Sequence, residues 1–193
     1  MMNYRTLCLL TLTALISACS TQPTGPITPP PTSVGAISKW ETSGRVGIRT
    51  PKDAVSGNFN WQKDPTTFAL NIVGPFGQGA TKLDKSQDGV VTLAYDDTVI
   101  TGNDPAILLQ QELGWEFPVE QVSYWIRGLA DPHSAARITK DTDSKLPSKI
   151  EQDGWLVTYN SFTTIDGLSL PQKMQVSNPP FKVNLIINQW TIQ

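Results

Sequence analysis

From Trp40 onward the chain keeps a period of two, and this restricts its fold more than any other feature. Trp40, Thr42, Gly44, Val46 and Ile48 alternate with Glu41, Ser43, Arg45, Gly47 and Arg49. Val55, Gly57, Phe59 and Trp61 alternate with Ser56, Asn58, Asn60 and Gln62, and Phe68, Leu70 and Ile72 with Ala69 and Asn71. A strand turns successive side chains to opposite faces, so this pattern predicts strands with one dry and one wet face. Pro51-Lys52-Asp53 and Lys63-Asp64-Pro65 break the runs as turns do. The pattern continues through 81–84, 89–95 and 97–101, and returns at 136–140, 147–152, 155–162, 170–176 and 181–190. About eleven short strands at this spacing predict a mainly β domain, an antiparallel meander curling into a barrel or half barrel.

One segment follows another period. Asp104-Pro105 offers an N-cap acid and a proline at the first helical position, Leu109 and Leu113 share a face, and Gly114 can end the helix. Pro118 opens a second helix, whose Val122, Trp125, Ile126 and Leu129 recur at i, i+3, i+4 and i+7, with Gly128 breaking it. A helix pair inserted after the sixth strand can plug the sheet or act as a movable lid. Six tryptophans suit a wide apolar interior or an interface.

The N-terminus reads differently. Arg5 leads into the apolar run Leu7–Cys19, which is too short to cross a bilayer as a helix and ends in small residues, as a secretory signal does. Its end, Ile16-Ser17-Ala18-Cys19, resembles the lipobox of bacterial lipoproteins. That resemblance implies cleavage before Cys19, lipidation of its thiol and acylation of the new amino end; the alternative is an ordinary signal with a chance cysteine. Ser20, in place of the aspartate of inner-membrane retention, implies passage to the outer membrane. Residues 1–18 would be the signal peptide and 19–35 a lipidated, proline-rich tether, extended where polyproline-like. Residues 36–193 would form a single domain.

Loss of the leader removes Arg5 and takes the net charge from −2 to −3. A mildly acidic chain without a basic run gives no reason to expect nucleic acid as a partner. Cys8 leaves with the leader, so the mature chain has neither an internal disulfide nor a cysteine-based metal site. His133, the one histidine, sits in the polar run Asp131-Pro132-His133-Ser134 with no nucleophile or ligand set to complete it. Gly44-Arg45-Val46-Gly47 lacks the lysine and following helix of a phosphate loop. The chain is therefore expected to be no enzyme, with no cofactor and no metal. Gly74-Pro75-Phe76-Gly77-Gln78-Gly79 interrupts the sheet pattern as a turn. Phe76 at its tip either folds back onto the core or serves as an apolar probe for another apolar phase.

Taken together, these residues resemble the LolB family of outer-membrane lipoprotein receptors. The matching pieces run in order: Gly44-Arg45-Val46-Gly47-Ile48-Arg49, Phe59-x-Trp61, Gly74-Pro75-Phe76-Gly77, Leu113-Gly114-Trp115 with Pro118-Val119, and Trp125-Ile126-x-Gly128. Then come Gln152-x-Gly154-Trp155-x-Val157-x-Tyr159, Leu170-Pro171, and Val183-x-Leu185-x-Ile187 leading to Trp190. The resemblance implies an unclosed antiparallel barrel with a helical lid over an apolar cavity. It also implies a monomer, lipid-anchored on the periplasmic face of the outer membrane, that accepts acylated lipoprotein cargo from the periplasmic carrier LolA. The cargo would pass, without ATP, into the inner leaflet of that membrane. The cavity is expected from Phe59, Trp61, Leu70, Leu109, Leu113, Trp115, Val122, Trp125, Ile126, Trp155 and Val157. Gly74, Pro75, Phe76 and Gly77 are expected to engage the bilayer, with phenylalanine where the family usually has leucine. The rival expectation is a structural or adaptor lipoprotein that binds a protein partner and has a filled core.

Overall fold

The structure is a computed structural model that describes residues 30–77 and 79–193, with Phe76 described in its backbone alone. The leader and Cys19 lie outside the described residues. Eleven strands form one sheet: β1 (Trp40–Arg49), β2 (Ala54–Lys63), β3 (Phe68–Val73), β4 (Ala80–Lys85), β5 (Val91–Tyr95), β6 (Thr98–Gly102), β7 (Ala136–Lys140), β8 (Pro147–Gln152), β9 (Trp155–Ile165), β10 (Leu168–Asn178) and β11 (Phe181–Ile192). Their spatial order is β6-β5-β4-β3-β2-β1-β11-β10-β9-β8-β7, and every neighbouring pair is antiparallel. Two meanders are thus joined where the first strand meets the last. β6 and β7 remain as edges, so the barrel is unclosed.

The expected inward faces are the buried ones. Trp40, Val46 and Ile48 on β1, Phe59 and Trp61 on β2, Phe68, Leu70 and Ile72 on β3, and Phe181, Val183, Leu185 and Ile187 on β11 all lie in one core. Along the β1–β11 pair the alternation slips once, between Ser43 and Gly44, where Gly44 pairs with Ile187 while Ser43 pairs with Gln189. This bulge leaves Asn188 and Gln189 both exposed and returns Trp190 to the inside. It also explains Gly44: a Cβ there would lie 2.0 Å from the Ile186 carbonyl oxygen, so the close approach of β11 admits only glycine.

Between β6 and β7 lie α1 (Pro105–Leu113) and α2 (Val119–Trp125). The Asp104 carboxylate accepts from the backbone N–H groups of Ala106 and Ile107 at 2.8 and 3.1 Å. Gly114 ends α1 in the left-handed conformation. α2 stops at Trp125, earlier than the periodicity through Leu129 suggested. Gly128, at φ 80°, turns the chain away. Val34–Ala36 form a short 3-10 turn, with Val34 packed against the core.

Candidate functional site: an apolar cleft under a helical cover

The two ends of the barrel differ. At one end β1 begins beside Lys63 and Ile192, and Trp40 stacks edge-on with Trp61 and Trp190 at 5.3 and 5.8 Å between ring centroids. At the other end lie the turns Thr50–Asp53 and Pro75–Gly77. Between them runs a cleft lined by Val46, Ile48, Phe59, Trp61, Leu70, Ile72, Thr81, Leu83, Phe181, Val183 and Leu185 of the sheet, and by Leu109, Trp115 and Phe117 of the helical segment. Thr81 is the single polar side chain in this set. The lining residues Ile48, Ile72, Thr81 and Phe181 lie at the same end as the Pro75–Gly77 turn, because β3 and β4 run into that turn.

In this conformation the cleft is nearly full. Its free space is about 30 Å³, room for a water or two, whereas pockets for extended ligands run to about 300–1,000 Å³. The buried Trp61 Nε1 has no hydrogen-bond partner among the described residues. An N–H left unpaired in a low-dielectric interior costs stability, which marks the Trp61 end of the cleft as incompletely satisfied.

The expected cavity residues divide into two groups. Phe59, Trp61, Leu70, Leu109 and Trp115 line the cleft. Leu113 is half-buried against the core. Val122, Trp125, Ile126, Trp155 and Val157 are buried in the second half of the core, one aromatic layer behind the wall. Trp155 meets the wall residue Phe181 edge-on at 5.9 Å, and Trp125 meets Trp155 at 6.2 Å. The wall residues Val46, Ile48, Ile72, Thr81, Leu83, Phe117, Phe181, Val183 and Leu185 were not expected there; all but Thr81, Leu83 and Phe117 sit on the dry faces that alternation had already marked.

The two helices are fastened differently. Trp125 Nε1 donates to Gln152 Oε1 at 2.8 Å, and that oxygen also accepts from the Asp131 backbone N–H at 3.0 Å. Gln152 Nε2 donates to the carbonyl oxygens of Asp131 and Ser134. The Tyr159 hydroxyl donates to the Trp125 carbonyl at 2.7 Å, and its burial pushes the phenol's pKa far up. Lys85 of β4 binds Glu120 in the first turn of α2 at 2.8 Å. Arg127 donates to Ile37 and Ser123 carbonyls, and its burial lowers its pKa. α2 is therefore bound to both walls, to β4 on one side and to β8 and β9 on the other. α1 has one polar tie to the sheet among the described residues, an exposed bond from the Tyr95 hydroxyl to Glu112. Apolar packing holds the rest of the cover, Leu109 with Trp115 and Phe117.

His133 is largely exposed, its ring nitrogen 2.6 Å from Asp131. Among the described residues no three histidine, cysteine, aspartate or glutamate side chains gather as a metal site. Residues 38–190 match the family model described as "Outer membrane lipoprotein LolB". The chain belongs to the LolB family of outer-membrane lipoproteins. It is 81% identical over 192 residues, the full length of both chains, to the outer-membrane lipoprotein LolB of Marinomonas sp. (strain MWYL1). It is 34% identical to the LolB of Pseudomonas putida (strain F1) over 81% of this chain and 76% of that one. A LolA superfamily protein from Nitrosomonas europaea superposes at a TM-score of 0.49 and 9% identity over 81% of this chain and 86% of that chain, a likeness too faint to argue from. Membership of the LolB family makes the chain a receptor rather than an enzyme.

Proposed function

We propose that this chain is a lipid-anchored receptor that takes lipoproteins from the periplasmic carrier LolA by their acyl chains and releases them into the outer membrane. Cys19 would hold it to the inner leaflet of that membrane, with residues 19–35 as the tether. The observation that carries the reading is the apolar cleft beneath Leu109, Trp115 and Phe117, whose lining reaches the end of the barrel that holds the Pro75–Gly77 turn.

Physics sets the requirements. Exposing an acyl chain to water costs roughly 0.8 kcal/mol per methylene, or about 12 kcal/mol for a fifteen-methylene chain, so cargo must stay covered at each step. The chain carries no ATP motif, so transfer runs downhill in affinity: the receptor binds the acyl chains better than the carrier, and the bilayer better still. A nearly full cleft must widen to accept a chain. The segment held by apolar packing, α1 with Trp115 and Phe117, is the part that moves, while α2 stays. The empty cleft closes on its own side chains, which keeps its apolar wall from water between cargoes.

The test is to mix the receptor with lipoprotein-loaded carrier and follow the cargo, first in solution and then with vesicles. Cargo should pass to the receptor and then to the vesicles. Cargo that stays on the carrier would refute the reading and favour the adaptor alternative.

A further inference from the structure

Charge on the outer face of the sheet is one-sided at the end of the barrel that holds the Pro75–Gly77 turn. Arg45, Gly47 and Arg49 alternate with the buried Val46 and Ile48, so they face outward. Arg49 pairs directly with Lys182 across β1 and β11. Like charges opposite each other in a sheet are destabilising, and neither residue makes an ion pair among the described residues. Lys52 is exposed in the adjoining turn. That turn's acid, Asp53, has its Oδ1 engaged by the Ala54 backbone N–H at 2.7 Å. In a chain of net charge −2, folding gives no reason for this concentration of cations.

Gly47 points to the same place. Its backbone is ordinary extended strand, and a Cβ there would meet nothing within 4 Å. Glycine inside a strand weakens it, and marks a position where something approaches closely. At Gly44 that something is β11. At Gly47 nothing among the described residues approaches. The missing side chain leaves an open groove walled by Arg49, Lys182, Ser56 and Asn184, two cations and two uncharged hydrogen-bonding groups with no acid.

We propose that this groove seats the phosphate of an anionic phospholipid headgroup when the Pro75–Gly77 end of the barrel meets the bilayer. The occupant follows from position. β2 of the same hairpin abuts the membrane-facing turn, since a Cβ on Gly57 would collide with the Val73 carbonyl beside Gly74. A surface reached by that turn therefore brings its headgroups to the level of Gly47. Cations near an anionic leaflet bind it additively, so the patch orients the turn end of the barrel toward the membrane. The inference rests on the functional reading above.

The experiment uses the mature lipidated protein in vesicles of phosphatidylcholine, alone or mixed with phosphatidylglycerol, supplied with lipoprotein-loaded carrier. Phosphatidylglycerol should speed delivery, and the gain should fall roughly fivefold per cation removed in Arg49→Gln and Lys182→Gln. High salt should remove it too. Gly47→Val, checked by melting temperature, should fill the groove and lose the same gain with acceptance of cargo unchanged. Equal delivery to both kinds of vesicle, or a full gain in the variants, overturns the proposal. So does loss of the gain on adding inorganic phosphate at matched ionic strength, which would mean a free-anion site. So does an effect of the two glutamines confined to uptake from the carrier, which would mean a protein-docking surface. Failure of the wild type to take up cargo at all would instead refute the functional reading.

Discussion

The cover over the cleft makes a prediction in which stability and affinity move in opposite directions. Leu109 is 3% exposed and sits in α1 against the cleft wall. Truncating a leucine so placed, Leu109→Ala, should destabilise the empty protein by about 2–5 kcal/mol. For a domain of this size each kcal/mol lowers the melting temperature by about 2–4 °C, so a fall of at least about 4 °C is expected. If the cover swings away when an acyl chain enters, the leucine's packing against the wall is already given up in the bound state, and truncation takes nothing further from that state. Opening then costs less in the variant. Apparent affinity for an acylated ligand should rise by up to the same free energy, about 30-fold for 2 kcal/mol. Trp61 and Trp115 line the cleft, so tryptophan fluorescence titrated with an acylated peptide reads binding, and a thermal melt on the same sample reads stability. Unchanged or weaker binding in a folded Leu109→Ala protein would show that Leu109 stays packed in the bound state, and would refute the moving cover.

Phe76→Glu should accept cargo from the carrier at the wild-type level yet lose most delivery to vesicles; normal delivery would remove the Pro75–Gly77 turn from the mechanism. Gly44→Ala should cost more than about 3 kcal/mol in urea melts, since its Cβ would lie 2.0 Å from the Ile186 oxygen, whereas Gly47→Ala should change stability by less than about 1 kcal/mol. Gln152→Ala should cost about 2–5 kcal/mol, because it strands the Trp125 and Asp131 donors that share Oε1. A cost under about 1 kcal/mol would mean that water replaces the amide.

The dry faces were legible because alternation is a local property that a half-buried sheet imposes directly on sequence. The helix pair was legible for a similar reason: Asp104, Pro105 and Gly114 act within one turn of their own position. The exit of α2 was less so, since a helical period continues past Trp125 to Leu129 while the left-handed Gly128 turns the chain. The site was read in part. Phe59, Trp61 and Leu70 face the cleft because they share a strand face with it. Trp155 and Val157 show the same alternation but line the second half of the core.

By itself the sequence determined which side of each strand is greasy, where the helices begin, and the family to which the chain belongs. Only the tertiary structure decided that β1 pairs with β11 through a bulge at Gly44, that β6 and β7 stay apart, and that α2 is bound to both walls while α1 is held mainly by packing. It also decided that the cleft is nearly closed when empty. Each of these depends on pairings between residues far apart in the chain, for which a periodic pattern holds no information.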